Sequence, residues 1–216
     1  MVRRTKQEAQ ETRQALIDAA EVVFDRHGVA GTSLQDVADA AGLTRGAVYW
    51  HFRDKSDLVN AMMERAIVPF ERAWFALEAD ATKAPLERLN DRLCDVLRLV
   101  ATDDRLRRVL GISTLKMEYV GEDDAIRAYH LQIRERALQR IESMLRQAVP
   151  EGPLAGAMTP KAGAQALHAL VNGLIENWML DPKAFDLCRV GHPAVALLIA
   201  GLTGGSATMP ASSGGA

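Results

Sequence analysis

Thr32-Ser-Leu-Gln-Asp-Val-Ala-Asp-Ala-Ala-Gly-Leu-Thr-Arg-Gly-Ala-Val-Tyr-Trp-His-Phe52 is the stretch around which the 216-residue chain is organised. Leu34, Val37, Ala38 and Ala41 recur at helical spacing, Gly42 interrupts the repeat and Thr44 restarts it, which predicts two short helices joined by a tight turn. Each boundary has its own chemistry. Thr32 with Gln35 has the form of a capping box, Gly42 accepts the left-handed conformation past a helix end, and Thr44 offers a hydroxyl to cap the next helix. Together these signals spell a helix-turn-helix.

The second helix, Arg45 to Phe52, sets Val48 and Phe52 four apart on one face for packing against the first. Arg45, Gly46, Tyr49, Trp50 and His51 remain on the outside. A helix entering the DNA major groove needs such donors for base edges and phosphates, and small Gly46 allows close backbone approach. A solvent-facing helix of an ordinary bundle accounts for any one of these residues but not for the set.

Hydrophobic residues at 48% and charged residues at 25% fall in the range of soluble globular chains, and the formal charge of -2 excludes a globally basic DNA-binding field. Any DNA contact must come from local placement of cations. Cys94 and Cys188 lack a C-x-x-C context and read as reduced core thiols, while His27, His51, His130, His168 and His192 show no ligand spacing. No metal ion and no cofactor is therefore expected. An α-helical enzyme is disfavoured, since H-E-x-x-H, G-x-S-x-G and phosphate-cradling glycine loops are all missing. The polar start from Met1 to Arg13 has no leader character, and the longest apolar run, Ala194 to Leu202, falls short of the roughly 20 residues of a membrane span. The expectation is a cytoplasmic protein with no membrane partner.

Upstream of the motif, Arg3, Arg4 and Lys6 form a basic arm able to follow a phosphate track, and Thr5 with Glu8 offers a capping box. The first helix runs to His27 with Leu16, Ile17, Ala20, Val23 and Phe24 on one face, and Gly28 stops it. Downstream, Asp54 caps a fourth helix whose N-terminus carries Lys55, where side-chain charge and backbone N–H groups both suit a phosphate. Pro69 within this helix predicts a kink.

The rest of the chain reads as helices only. Pro85 opens a helix over Leu86 to Val100, Asp103 or Asp104 opens another to about Met117, and Val120-Gly-Glu-Asp-Asp124 turns into a helix from Ala125 to Val149. Thr159-Pro160 starts a helix to about Leu180, and a last one is expected from about Pro193 to Leu202. The fold class is therefore all-α: an N-terminal three-helix helix-turn-helix DNA-binding domain over residues 1–55, a C-terminal helical ligand-binding and dimerisation domain over 56–203, and a disordered tail over 204–216. Ala162, Gly163, Ala166, Ala169 and Gly173, then Ala194, Ala196, Ala200 and Gly201, let backbones approach closely, so the helices at about 160–181 and 193–202 are expected to form a homodimer interface.

Residues 1 to 60 resemble the TetR family of bacterial one-component regulators, through Gly28-Val-Ala-Gly-Thr-Ser-Leu-Gln-Asp-Val-Ala38, the segment Ala41 to Phe52, and Lys55-Ser-Asp-Leu58. Arg4-Thr-Lys-Gln-Glu-Ala-Gln-Glu-Thr-Arg13, Leu115-Lys-Met-Glu-Tyr-Val-Gly-Glu122, Asn172-Gly-Leu-Ile-Glu-Asn-Trp-Met-Leu180 and Phe185-Asp-Leu187 are similar to its AcrR and TtgR branch of multidrug efflux repressors. The resemblance implies a homodimer that sets two recognition helices into a pseudo-palindromic double-stranded operator. It also implies phosphate contacts from Thr44, Tyr49, His51 and Lys55, and base reading by Arg45, Gly46 and Trp50. A small hydrophobic or aromatic effector, released-repressor fashion, is expected in a helical pocket. Its lining is read as Met62, Met63, Ile67, Phe70 and Trp74 from the fourth helix and Leu93, Val96 and Leu97 from the next. Val109, Leu110, Thr114 and Met117 follow, with Trp178 from the penultimate helix. Asn172 is read as a buried amide anchor. Some relatives in this branch carry an acid at the position of Asn172 or Ile67, so the neutral residues here imply neutral or weakly polar aromatic ligands, with Glu118 as the remaining charge. The alternatives are a TetR-type regulator of a catabolic or lipid metabolism operon and a sequence-indifferent DNA-bending protein.

Overall fold

The computed structural model describes residues 6–78, 82–117, 125–149 and 154–204, with side chains left out for 68–78 and 157. Among the described residues regular structure is helical: α1 (Lys6–His27), α2 (Leu34–Ala40), α3 (Arg45–His51), α4 (Lys55–Glu78), α5 (Pro85–Thr102), α6 (Asp104–Leu115), α7 (Ala125–Ala148), α8 (Pro160–Leu180) and α9 (Leu187–Thr203). A short 3-10 turn, Ala155–Ala157, and an isolated bridge between Leu154 and Met158 precede α8. No described helix is long and apolar enough to cross a membrane. The chain forms two compact units, residues 1–73 with 104–132 and residues 74–103 with 133–216.

In the first unit the predicted grammar is present with one shift of register. The capping box at α2 is Ser33 with Asp36, not Thr32 with Gln35: Asp36 N–H donates to Ser33 Oγ at 3.2 Å and Ser33 N–H donates to Asp36 Oδ2 at 2.7 Å. Those bonds from Ser33 hold the Asp36 carboxyl below the usual carboxylate range. Thr32 is 3% exposed and its hydroxyl donates instead to the Gly28 carbonyl at 2.7 Å, closing the turn after α1. Gly42 sits at φ 66°, where a Cβ would be strained, and Thr44 accepts from Ala47 N–H at 3.2 Å to start α3. Leu16, Ile17, Ala20, Phe24, Val37, Ala38 and Val48 are wholly buried, so α1, α2 and α3 share one core. Each large side chain there contributes about 1.5 to 3 kcal/mol.

Asp54 caps α4 through Asp57 N–H at 2.8 Å, as its sequence predicts. α4 continues as helix through Pro69, whose side chain lies outside the described residues, as do the arm residues Arg3 and Arg4, the Thr5 cap, the turn at 120–124, Glu118 and the tail beyond Gly204. An ionic cluster joins α1, α4 and α6. Glu21, 3% exposed, accepts from Arg65 at 2.6 Å and from Arg105 at 3.1 Å. At the far end of α6, Val29 N–H donates to the Lys116 carbonyl at 3.1 Å, and the Lys116 ammonium pairs with Asp25.

In the second unit Pro85 opens α5 and the Thr159 hydroxyl caps α8 through Ala162 N–H at 3.1 Å, both as expected. The last helix departs from expectation. α9 starts at Leu187, where Asp186 accepts from Arg189 N–H at 2.8 Å, and Pro193 lies inside it. Pro193 gives up one backbone bond, but its fixed φ is helical, and burial of Leu187, Val195, Ile199 and Leu202 holds the helix through it. Gly191 sets the packing: a Cβ there would run into Leu97, so bare backbone brings α9 against α5. Gly163 likewise faces inward, toward Leu154 and Leu145, which takes it out of the expected subunit interface. Gly173 and Gly201 have open space before them.

Candidate nucleic-acid interface and ligand cavity

The two faces of α3 divide as its spacing requires. Val48 is wholly buried, whereas Tyr49 is 48% and Trp50 71% exposed. Arg45, Gly46 and Thr44 are exposed beside them, and His51 is half-buried. Arg45 Nη2 donates to Tyr49 Oη at 3.2 Å, with the guanidinium 5.4 Å from the Tyr49 ring centre. The bond lays the arginine along the helix surface over one turn, beside the Tyr49 ring. Trp50 stands edge-on to His51, ring centres 4.5 Å apart, and the Arg13 guanidinium lies 5.1 Å over Phe52. Lys6 is exposed in the first turn of α1.

Lys55 has a role that its sequence position does not disclose. Its ammonium reaches back 26 residues to the Val29 carbonyl at 2.7 Å and 23 residues to the Thr32 carbonyl at 2.9 Å. Two of its three protons therefore tie the start of α4 to the turn between α1 and α2. Val29 is the junction: its N–H bonds the end of α6 and its carbonyl bonds Lys55.

The residues read as pocket lining fall in both compact units. In the first, Met62, Met63 and Val109 are buried, Ile67, Leu110 and Met117 are half-buried, and Thr114 is exposed with its hydroxyl donating to the Leu110 carbonyl at 2.6 Å. The side chains of Phe70 and Trp74 lie outside the description. In the second unit Leu93, Leu97 and Trp178 are buried and Val96 is half-buried. Asn172 is a correction. It is exposed on α8 and its amide nitrogen lies 3.2 Å from the His168 ring, so the buried amide on which its anchoring role rested is not there.

Among the described residues of this unit, Arg92 is the buried charged side chain. It is 5% exposed, on the same face of α5 as Leu89 and Leu93, and lines a cavity of about 600 Å³ between α5 and α9. None of the residues read as pocket lining borders this cavity, which Arg88, Asn90, Asp95, His192 and Ala196 also line. The sequence does carry the signal: Arg92 interrupts the apolar repeat Leu89, Leu93, Val96 with a charge on the core side. Cys94, at the same cavity, has its thiol pushed up to about 11 by burial, and by Asp91 and Asp95 after that. Among the described residues no group of His, Cys, Asp and Glu is placed to hold a metal ion.

Two family models match. Residues 16–62 fit the model for bacterial regulatory proteins of the tetR family, and residues 84–203 fit that for the C-terminal region of MAATS-type transcriptional repressors. The HTH-type transcriptional regulator AcrR of Shigella flexneri is 36% identical over 92% of this chain and 93% of its own length. NalD, the secondary repressor of the MexAB-OprM multidrug efflux pump in Pseudomonas aeruginosa, superposes with a TM-score of 0.81 at 31% identity, covering 90% of this chain and 98% of its own. SmeT, the repressor of the Stenotrophomonas maltophilia multidrug efflux pump SmeDEF, in complex with triclosan, gives 0.79 at 32% identity over 95% and 98%.

Proposed function

Because the chain belongs to the TetR family of bacterial regulatory proteins, we propose that it is a cytoplasmic, homodimeric repressor of a multidrug efflux operon, released from its operator by a small hydrophobic or aromatic compound. The observation that carries this reading is the split of α3, with Val48 wholly buried and Tyr49 and Trp50 exposed on the face that Arg45 shares. Residues 1–55 are the DNA-binding domain and 56–203 the effector and dimerisation domain. Arg45, Gly46 and Trp50 read base edges. Thr44, Tyr49, His51 and the third proton of Lys55 hold phosphates, with Arg3, Arg4 and Lys6 adding to the backbone contacts. Exposed Leu180 on α8 and Val190 and Leu197 on α9, at 71%, 43% and 64%, supply the apolar surface that a partner subunit covers.

Release follows from the junction at Val29. A ligand acts only through its different affinity for two states, and a compound that favours a shifted α6 pulls on the Lys116 carbonyl and, through Val29, on Lys55 and α4. Recognition helices moved from half-sites about 34 to 36 Å apart lose operator affinity by a coupling of about 1 to 3 kcal/mol. That SmeT is found with triclosan supports an aromatic effector class. Footprinting of the DNA upstream of the gene, with and without triclosan and related drugs, tests the reading. Protection of a pseudo-palindrome that a compound removes supports it, and protection that no compound weakens contradicts it.

A further inference from the structure

We propose that the cavity between α5 and α9 is a binding site for a small organic carboxylate, held by the guanidinium of Arg92. A buried arginine is stable only when its charge and its five donors are met. Arg92 is 5% exposed, yet its nearest acid, Asp95, lies 3.8 Å away, beyond hydrogen-bond reach, and its buried Nε has no acceptor. Asp95 is itself in closer contact with Arg98. The cavity's other carboxylate, Asp91, is engaged by Lys83 at 2.6 Å. Four cationic side chains and two carboxylates line the space, an excess of positive charge that favours an oxyanion.

The rest of the lining argues for an organic acid over a bare ion. The buried Oδ1 of Asn90 and the buried Nε2 of His192 make no hydrogen bond, and both residues border the cavity, which leaves polar groups for a ligand hydroxyl or amide. Pro193 and Ala196 form an apolar wall opposite α5. A volume of about 600 Å³ lies in the range of drug-sized pockets and far exceeds what one inorganic anion fills. A planar guanidinium matches a carboxylate through two parallel bonds. The inference stands apart from the operator reading, since it concerns ligand binding to the free protein, and its failure leaves that reading intact.

Calorimetric titration of the full chain with benzoate, salicylate and phenylacetate, with benzamide as the neutral isostere and inorganic phosphate as the bare ion, tests it. The carboxylates are expected to bind at least about tenfold more tightly than benzamide and than phosphate. Arg92→Met should remove that preference, and Arg92→Lys, which keeps the charge but loses the fork, should weaken carboxylates several-fold while remaining folded. Carboxylates no tighter than benzamide, phosphate binding in their place, or full carboxylate affinity in both variants overturns the proposal.

Discussion

Arg65 on α4 meets Glu21 on α1 at 2.6 Å, with the Glu21 side chain only 5% exposed. Arg105 on α6 shares the same carboxylate at 3.1 Å, and Asp18 lies within 2.8 Å of Arg65 and 3.4 Å of Arg105. One buried acid thus serves cations from two helices that its own helix must stay beside. Asp18 stays beside both guanidiniums, so Glu21→Ala is expected to destabilise the protein by about 1.5 to 3 kcal/mol, the range for hydrogen bonds to charged groups. Urea unfolding measures it, and a loss below about 1 kcal/mol would mean that the cluster is solvated.

Lys55 should behave as a structural residue and a DNA contact at once. Lys55→Ala leaves the Val29 and Thr32 carbonyls without their ammonium, at a cost of about 1.5 to 3 kcal/mol for charged hydrogen bonds. It should therefore lower the melting temperature as well as weaken binding to operator and random DNA by a similar factor. A variant with unchanged stability but weakened DNA binding would show that the two backbone bonds contribute nothing.

Cys94 should resist alkylation at neutral pH. With the thiol at about 11, the reactive thiolate is about one part in a thousand at pH 8. Iodoacetamide labelling of the native protein, followed by peptide mass spectrometry, should be slow at pH 8 and rise about tenfold per pH unit up to about pH 10. Rapid labelling of Cys94 at pH 7 would contradict the raised thiol of this half-buried residue beside Asp91 and Asp95.

Protonation of His168 should weaken the fold. Burial, and then Arg134, lower its pKa from 6.5, so the unfolded chain binds its proton first. This contribution is complete above pH 6.5 and is lost progressively as pH falls from there through the lower folded-state value. His168→Gln should flatten the fall in stability between pH 7 and pH 5 in denaturant titrations, and an unchanged slope would remove His168 as its cause.

Helix-level organisation was legible in the sequence because its signals are local. Thr44 and Gly42 set the motif turn, and Asp54, Pro85 and Thr159-Pro160 mark helix starts, each through one or two backbone bonds. What escaped depends on tertiary packing. The start of α9 is hidden by Pro193, which local rules place at a boundary but which Leu187 and Val195 carry through by burial. The cap at α2 moves by one residue because Thr32 is drawn into a bond with Gly28. At the candidate sites, the outward face of α3 follows from four-residue spacing, whereas the exposure of Asn172 and the burial of Arg92 depend on which way α8 and α5 turn.

If Arg45 reads sequence, its removal narrows the ratio of operator to random-DNA affinity. Fluorescence anisotropy should compare wild type and Arg45→Ala on the footprinted operator and on random duplex at one fixed salt concentration. A bidentate contact to guanine contributes about 1 to 3 kcal/mol of discrimination. Arg45→Ala is expected to lose about that much on operator and little on random DNA, narrowing the ratio between them. Equal losses on both would make Arg45 a phosphate contact and contradict the reading of α3 as the base-reading helix.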